Sequence, residues 1–104
     1  MASSKEYLEY VLEQLGGLEE ISFRAMMGEY ILYYKGKIFG GIYDNRFLIK
    51  PLKSAERLMP NAPHEIPYEG AKEMLLVDDL EDRDFLDLLI NSMYDELPEP
   101  KRKK

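Results

Sequence analysis

The sequence predicts an α+β fold of two layers, an antiparallel sheet covered on one face by N-terminal and C-terminal helices. Two observations carry that prediction. Three apolar, aromatic-rich runs at 30–34 (YILYY), 38–43 (IFGGIY) and 47–49 (FLI) follow one another, parted only by Lys35-Gly36 and Asp44-Asn45. Those spacers have the length of two-residue hairpin loops, and Gly36 and Asn45 tolerate the positive φ that such turns require. At both ends of the chain, apolar side chains recur instead at the i, i+3/i+4 spacing of a helix. The sheet is expected to hold a meander of about four strands and one further hairpin.

Ser3 or Ser4 is placed to cap the first helix, where Tyr7, Leu8, Val11, Leu12 and Leu15 share one face. Gly16-Gly17 offers a residue free to take positive φ and end that helix. Tyr10 falls off the apolar face, as a half-exposed ring resting on its neighbours or as a contact for a partner. Residues 21–27 read as a strand that bends at Gly28, with Ser22, Arg24 and Met26 facing one way and Phe23, Ala25 and Met27 the other. In the next strand Tyr30, Leu32 and Tyr34 alternate with Ile31 and Tyr33, so both faces are apolar or aromatic. A second, open sheet face tolerates tyrosine better than leucine. Gly40-Gly41 inside the third strand needs a reason. Close packing of a helix, a bulge, or a groove where something external approaches the backbone would each supply one.

Pro51 ends the fourth strand, and Ser54 is expected to cap a short helix over 55–59 that Pro60 stops. Residues 66–68 and 73–77 form the further hairpin across Glu69-Gly70, with Pro67 confining the first of them to an edge. Asp78 or Asp79 caps the last helix, with Glu81 or Asp82 three positions on. Its stripe is Phe85, Leu86, Leu89, Ile90, Met93, Tyr94 and Leu97, and Pro98 stops it. Leu88 lies off the stripe, on the polar side. Residues 1–98 thus read as a single domain, and 99–104 as a basic, disordered tail.

A chain of 104 residues with 45% hydrophobic content suits one globular domain. It contains no cysteine, which removes disulfides, thiolate ligands and thiol nucleophiles and fits a reducing, cytoplasmic setting. No apolar signal region opens the chain, and no run of 18 apolar residues occurs in it, so neither export nor a membrane is expected. The net charge of −6 is unevenly spread, for residues 65–100 carry twelve acidic side chains against Lys72 and Arg83. A domain devoted to phosphate binding is usually basic as a whole.

Reactive constellations are missing from the sequence. The serines sit in cap or element positions without a nucleophile-elbow context, and His64 is the only histidine. Asp78, Asp79, Glu81 and Asp82 lack the spacing of a calcium loop and suit a helix N-terminus. Neither glycine pair has phosphate-loop spacing. No enzyme activity, metal or cofactor is therefore expected. A small-ligand site in the region of residues 30–43 with Arg24 would need a concave pocket. Lys35, Lys37 and Arg46 fall at or beside the meander turns, and with Arg24 they could touch a phosphate backbone; lysines at hairpin ends also serve solubility and edge protection.

Arg24-Ala25-Met26-Met27-Gly28, Tyr30, Gly36-Lys37, Phe39, Asp44 and Leu48-Ile49-Lys50 resemble the core of the TfoX (Sxy) N-terminal domain family. Met27 and Glu29 stand where that family usually has an aromatic residue and a second glycine. The resemblance implies a helix, an antiparallel meander, further strands and a closing helix in two layers. It also implies a non-enzymatic interaction module in bacterial transcription or competence-type regulation, with no catalytic residues. The expected partner is another protein, such as a transcription factor, or a second copy in a homodimer. Tyr10, Leu88, Tyr33, Gly40 and Gly41 are the candidate protein contacts. The alternative is direct DNA binding through Arg24, Lys35, Lys37 and Arg46.

Overall fold

The computed structural model describes residues 3–98. The basic tail expected over 99–104 lies outside the described residues. Nine elements follow in order: α1 (Lys5–Gln14), β1 (Ile21–Met26), β2 (Glu29–Tyr34), β3 (Lys37–Ile42), β4 (Phe47–Ile49), α2 (Lys53–Leu58), β5 (His64–Glu65), β6 (Met74–Leu76) and α3 (Arg83–Tyr94). The strands form one antiparallel sheet in the order β1-β2-β3-β4-β6-β5. The expected α+β architecture is the one observed.

Turn chemistry explains the meander. Met27-Gly28, Lys35-Gly36 and Asp44-Asn45 each join two strands, and all six residues have positive φ, between 52° and 86°. Paired positive φ is the type I′ geometry, whose twist matches that of the flanking strands. The register between β2 and β3 shifts at Leu32/Tyr33, so Phe39 is an extra residue there and β3 carries a bulge. The bulge is the reason for Gly40. A Cβ on it would run into the Leu48 carbonyl oxygen and lie 2.9 Å from Ile49 Cα.

Leu8 and Val11 of α1, Leu15 at its C-cap, and Leu86, Leu89, Ile90 and Met93 of α3 share one core with Leu32, Tyr34, Phe39, Ile42, Phe47, Ile49 and Leu75 of the sheet. Phe39 and Phe47 meet edge to face at 6.3 Å inside it. Ser4 caps α1 by accepting from the Tyr7 amide at 3.1 Å. Ser3 then ties the N-terminus to two hairpin tips, donating to Glu29 Oε1 at 2.6 Å and accepting from the Asn45 amide at 3.0 Å.

Four local expectations change. Gly16 and Gly17 do not end α1 through positive φ; the positive value comes later, at Glu20 (61°). They are glycines for room, since a Cβ on Gly17 would lie 2.5 Å from the Asp87 carboxylate. Helix α2 begins at Lys53, so Ser54 is inside it and buried; the Glu96 carboxylate accepts from the Ser54 amide at 3.2 Å in place of a local cap. Helix α3 starts only at Arg83, with Asp82 as its cap accepting from the Phe85 amide. The last hairpin uses His64–Glu65 against Met74–Leu76, and 66–73 is a loop.

Candidate interaction surface

Strand β1 is one edge of the sheet, and its side chains are exposed at every position except the partly buried Ile21. Its hydrogen-bond parity follows from the turn. The two-residue loop closes on the pair Met26–Glu29, and the Lys35 amide donates to the Glu20 carbonyl at 3.0 Å. Bonded and non-bonded pairs alternate between those ends. Ser22, Arg24 and Met26 therefore bond to β2, while the N–H and C=O groups of Ile21, Phe23 and Ala25 point away from the sheet.

The two edges differ in protection. Strand β5 is two residues long and lies between Pro63 and Pro67. Strand β1 has six residues with no proline and no bulge, and Arg24 is its one charged side chain, so it carries fewer of the devices that normally blunt an edge. Large apolar side chains gather beside it: Phe23 is 46% exposed, Met26 48% and Met27 97%. Phe23 is propped edge-on against Tyr30 at 5.8 Å. Next to the edge runs a groove of about 480 Å³ walled by Leu12, Leu15, Leu18, Ile21 and Phe23. Arg24 has no ion-pair or hydrogen-bond partner among the described residues.

The five protein contacts expected from sequence do not form one patch. Tyr10 (38% exposed, tilted against Tyr7 at 6.5 Å) and Leu88 (52% exposed) belong to the helical layer. Tyr33 pairs with Ile38 on the opposite sheet face and is half-buried. Gly40 and Gly41 are buried, and the chain's own atoms fill the space beside them. The Tyr43 hydroxyl lies 2.8 Å from where a Gly41 Cβ would be.

The basic set is divided as well. Lys37 is 7% exposed, with Nζ 3.4 Å from the Tyr94 carbonyl and 4.1 Å from the Tyr94 ring centre. Its partner Tyr34 faces the core, which draws the lysine stem onto the same side. Arg46 pairs with Glu65 at 2.7 Å and donates to the carbonyls of Tyr43, Ile66 and Pro67. It is a strut that holds the 66–73 loop. Lys35 lies over the Tyr34 and Tyr94 rings at 5.2 and 5.5 Å. Arg24 stands on β1, beside the exposed apolar side chains. Sequence reasoning had Phe23 and Met27 on one face of a strand. It lacked the strand order, which alone reveals that this strand is an edge.

His64 Nδ1 is 3.4 Å from Glu73 Oε1, with both side chains well exposed. In the acidic run, Asp79 accepts from the Glu81 amide and Asp82 caps α3. Among the described residues, no group of three or more His, Cys, Asp or Glu side chains is arranged to hold a metal ion. No described helix is long and apolar enough to cross a membrane.

Residues 13–95 match the family model of the TfoX N-terminal domain. The chain is 36% identical over 106 residues to a protein of Spirochaeta aurantia described as an uncharacterized 12.7 kDa protein in the trpE 5′ region, an alignment that spans 100% of this chain and 91% of that protein. No solved structure matches the chain. With most of its length matched and the helix–meander–helix order in place, this chain belongs to the TfoX N-terminal domain family.

Proposed function

We propose that this chain is a non-catalytic recognition module which binds another protein by pairing a strand to the free β1 edge, in bacterial transcription or competence-type regulation in the cytoplasm. The observation that supports the reading is the long, unpaired edge itself: outward backbone groups at Ile21, Phe23 and Ala25 beside an apolar groove. Strand addition draws affinity from main-chain hydrogen bonds and specificity from alternate side chains that enter pockets. Here the incoming strand would lay every second side chain toward Leu12, Leu15 and Leu18. Arg24 would meet an acidic or polar residue of the partner, which is a transcription factor or a second copy of this chain.

The DNA reading keeps Arg24 and Lys35 as its exposed cations, because Lys37 and Arg46 already serve the fold. No feature of the site favours it over strand addition.

The test is affinity capture with wild-type chain, Ala25→Pro and Phe23→Lys as parallel baits, each first checked for native circular dichroism. Both variants leave the bonds to β2 in place and block the outward edge. The reading expects a stoichiometric protein partner on wild-type bait that both variants lose. A partner held equally by all three baits, or duplex DNA retained at low salt and lost on charge reversal of Arg24 and Lys35, contradicts it.

A further inference from the structure

The sheet face opposite the helices has a concavity of its own, about 420 Å³ in volume. Gly40 contributes backbone to it, and Ile38, Tyr43, Tyr68 and Met74 supply the apolar lining. The volume falls within the range of small-molecule sites. Its outer wall is anchored, because Arg46 grips the carbonyls of Ile66 and Pro67 and the Glu65 carboxylate. Gly70, at φ 88°, turns the loop back toward β6. The Tyr43 and Tyr68 rings meet at 6.0 Å and 53°, making an aromatic corner, and Ile38 and Tyr68 leave apolar surface in contact with water.

Charge decides what would fill it. Lys50 and Lys72 line the concavity with one acid, Glu73, whose carboxylate is turned to His64. The Lys50 ammonium has no acceptor among the described residues, although burial lowers its pKa below the ordinary lysine value. Burial also raises the pKa of the Tyr43 hydroxyl, which is half-buried against Tyr68. Lys50 is partly buried and lacks an acceptor among the described residues, so a carboxylate delivered by a ligand would give its ammonium a charge-assisted partner.

We propose that this concavity binds a small organic anion, a carboxylate on a flat aromatic body, with Lys50 holding the carboxylate and Tyr43, Tyr68, Ile38 and Met74 enclosing the body. The site is distinct from the β1 edge and does not depend on strand addition. Simple inorganic anions would leave the apolar walls wet.

Amide NMR titration tests this with three probes: 2-naphthoate, the neutral 2-naphthalenemethanol and inorganic phosphate. Naphthoate should give saturable shifts at Ile38, Tyr43 and Tyr68 and bind about tenfold or more tighter than the alcohol, the margin expected of one charge-assisted hydrogen bond. Lys50→Met should abolish that margin, and Lys50→Arg should retain it. Equal binding of acid and alcohol, equal shifts from phosphate, naphthoate shifts confined to other residues, or no saturable binding would each overturn the proposal. The acid–alcohol comparison on wild-type chain stands even if Lys50→Met fails to fold.

Discussion

Tyr7 and Tyr43 show how burial alters side-chain chemistry. Desolvation is the largest cause of the raised pKa of both hydroxyls. The folded state therefore keeps these protons at a pH where the unfolded chain, at about 10, has begun to lose them. Stability from this source is fully present below pH ~10 and is lost as pH rises through the higher folded values. Ultraviolet titration of tyrosinate should show two late-ionising groups, and Tyr7→Phe with Tyr43→Phe should remove both and flatten the alkaline fall in melting temperature. Gly40 is a second residue with a single reason. Gly40→Ala should cost about 2 kcal/mol or more in urea unfolding, because the Cβ meets the Leu48 carbonyl and Ile49 backbone, which cannot step aside. Lys37 and Arg46 belong to the same scale. From sequence they are hairpin-tip cations, and only the facing of Tyr34 and the path of the 66–73 loop make them internal struts.

Elements held by local chemistry were the legible ones. The Lys35-Gly36 and Asp44-Asn45 turns, the α1 face and the α3 stripe each follow from residues within a few positions of one another and stand where the sequence places them, whereas Met27, expected in the first strand, belongs to a third turn with Gly28. Elements decided at a distance were not. Ile66 and Tyr68 flank Pro67 in an alternating run, yet the pairing is His64 with Leu75, and the run is claimed instead by Arg46 some twenty positions away. Helix α2 has the same origin. Its start lacks a local side-chain cap, and Glu96, beyond the end of α3, supplies the acceptor for the Ser54 amide. Glu96→Ala should lower stability by about 1 kcal/mol in denaturant unfolding, the usual cost of a lost cap, while Ser54→Ala should not reproduce the loss. Equal effects from the two changes would place the cap on Ser54 after all.

At the scale of the molecule, strand order sets the candidate site. Six strands with β6 inserted between β4 and β5 leave a short, proline-flanked edge on one side and the longer β1 on the other. Periodicity along β1 is the same whether it lies inside a sheet or at its rim, so sequence pattern could name Phe23, Arg24 and Ala25 but not their exposure. The helices close one face, and the opposite face carries the 66–73 loop over Tyr43. Both open regions sit away from the meander turns that hold the fold, where side chains are free to serve recognition. Amide hydrogen exchange, resolved by residue and recorded with and without the captured partner, addresses the β1 edge most directly. The free chain should exchange quickly at Ile21, Phe23 and Ala25 and slowly at Ser22, Arg24 and Met26, and binding should slow the first three. Protection that appears on binding elsewhere, with those three amides still fast, would contradict strand addition at β1.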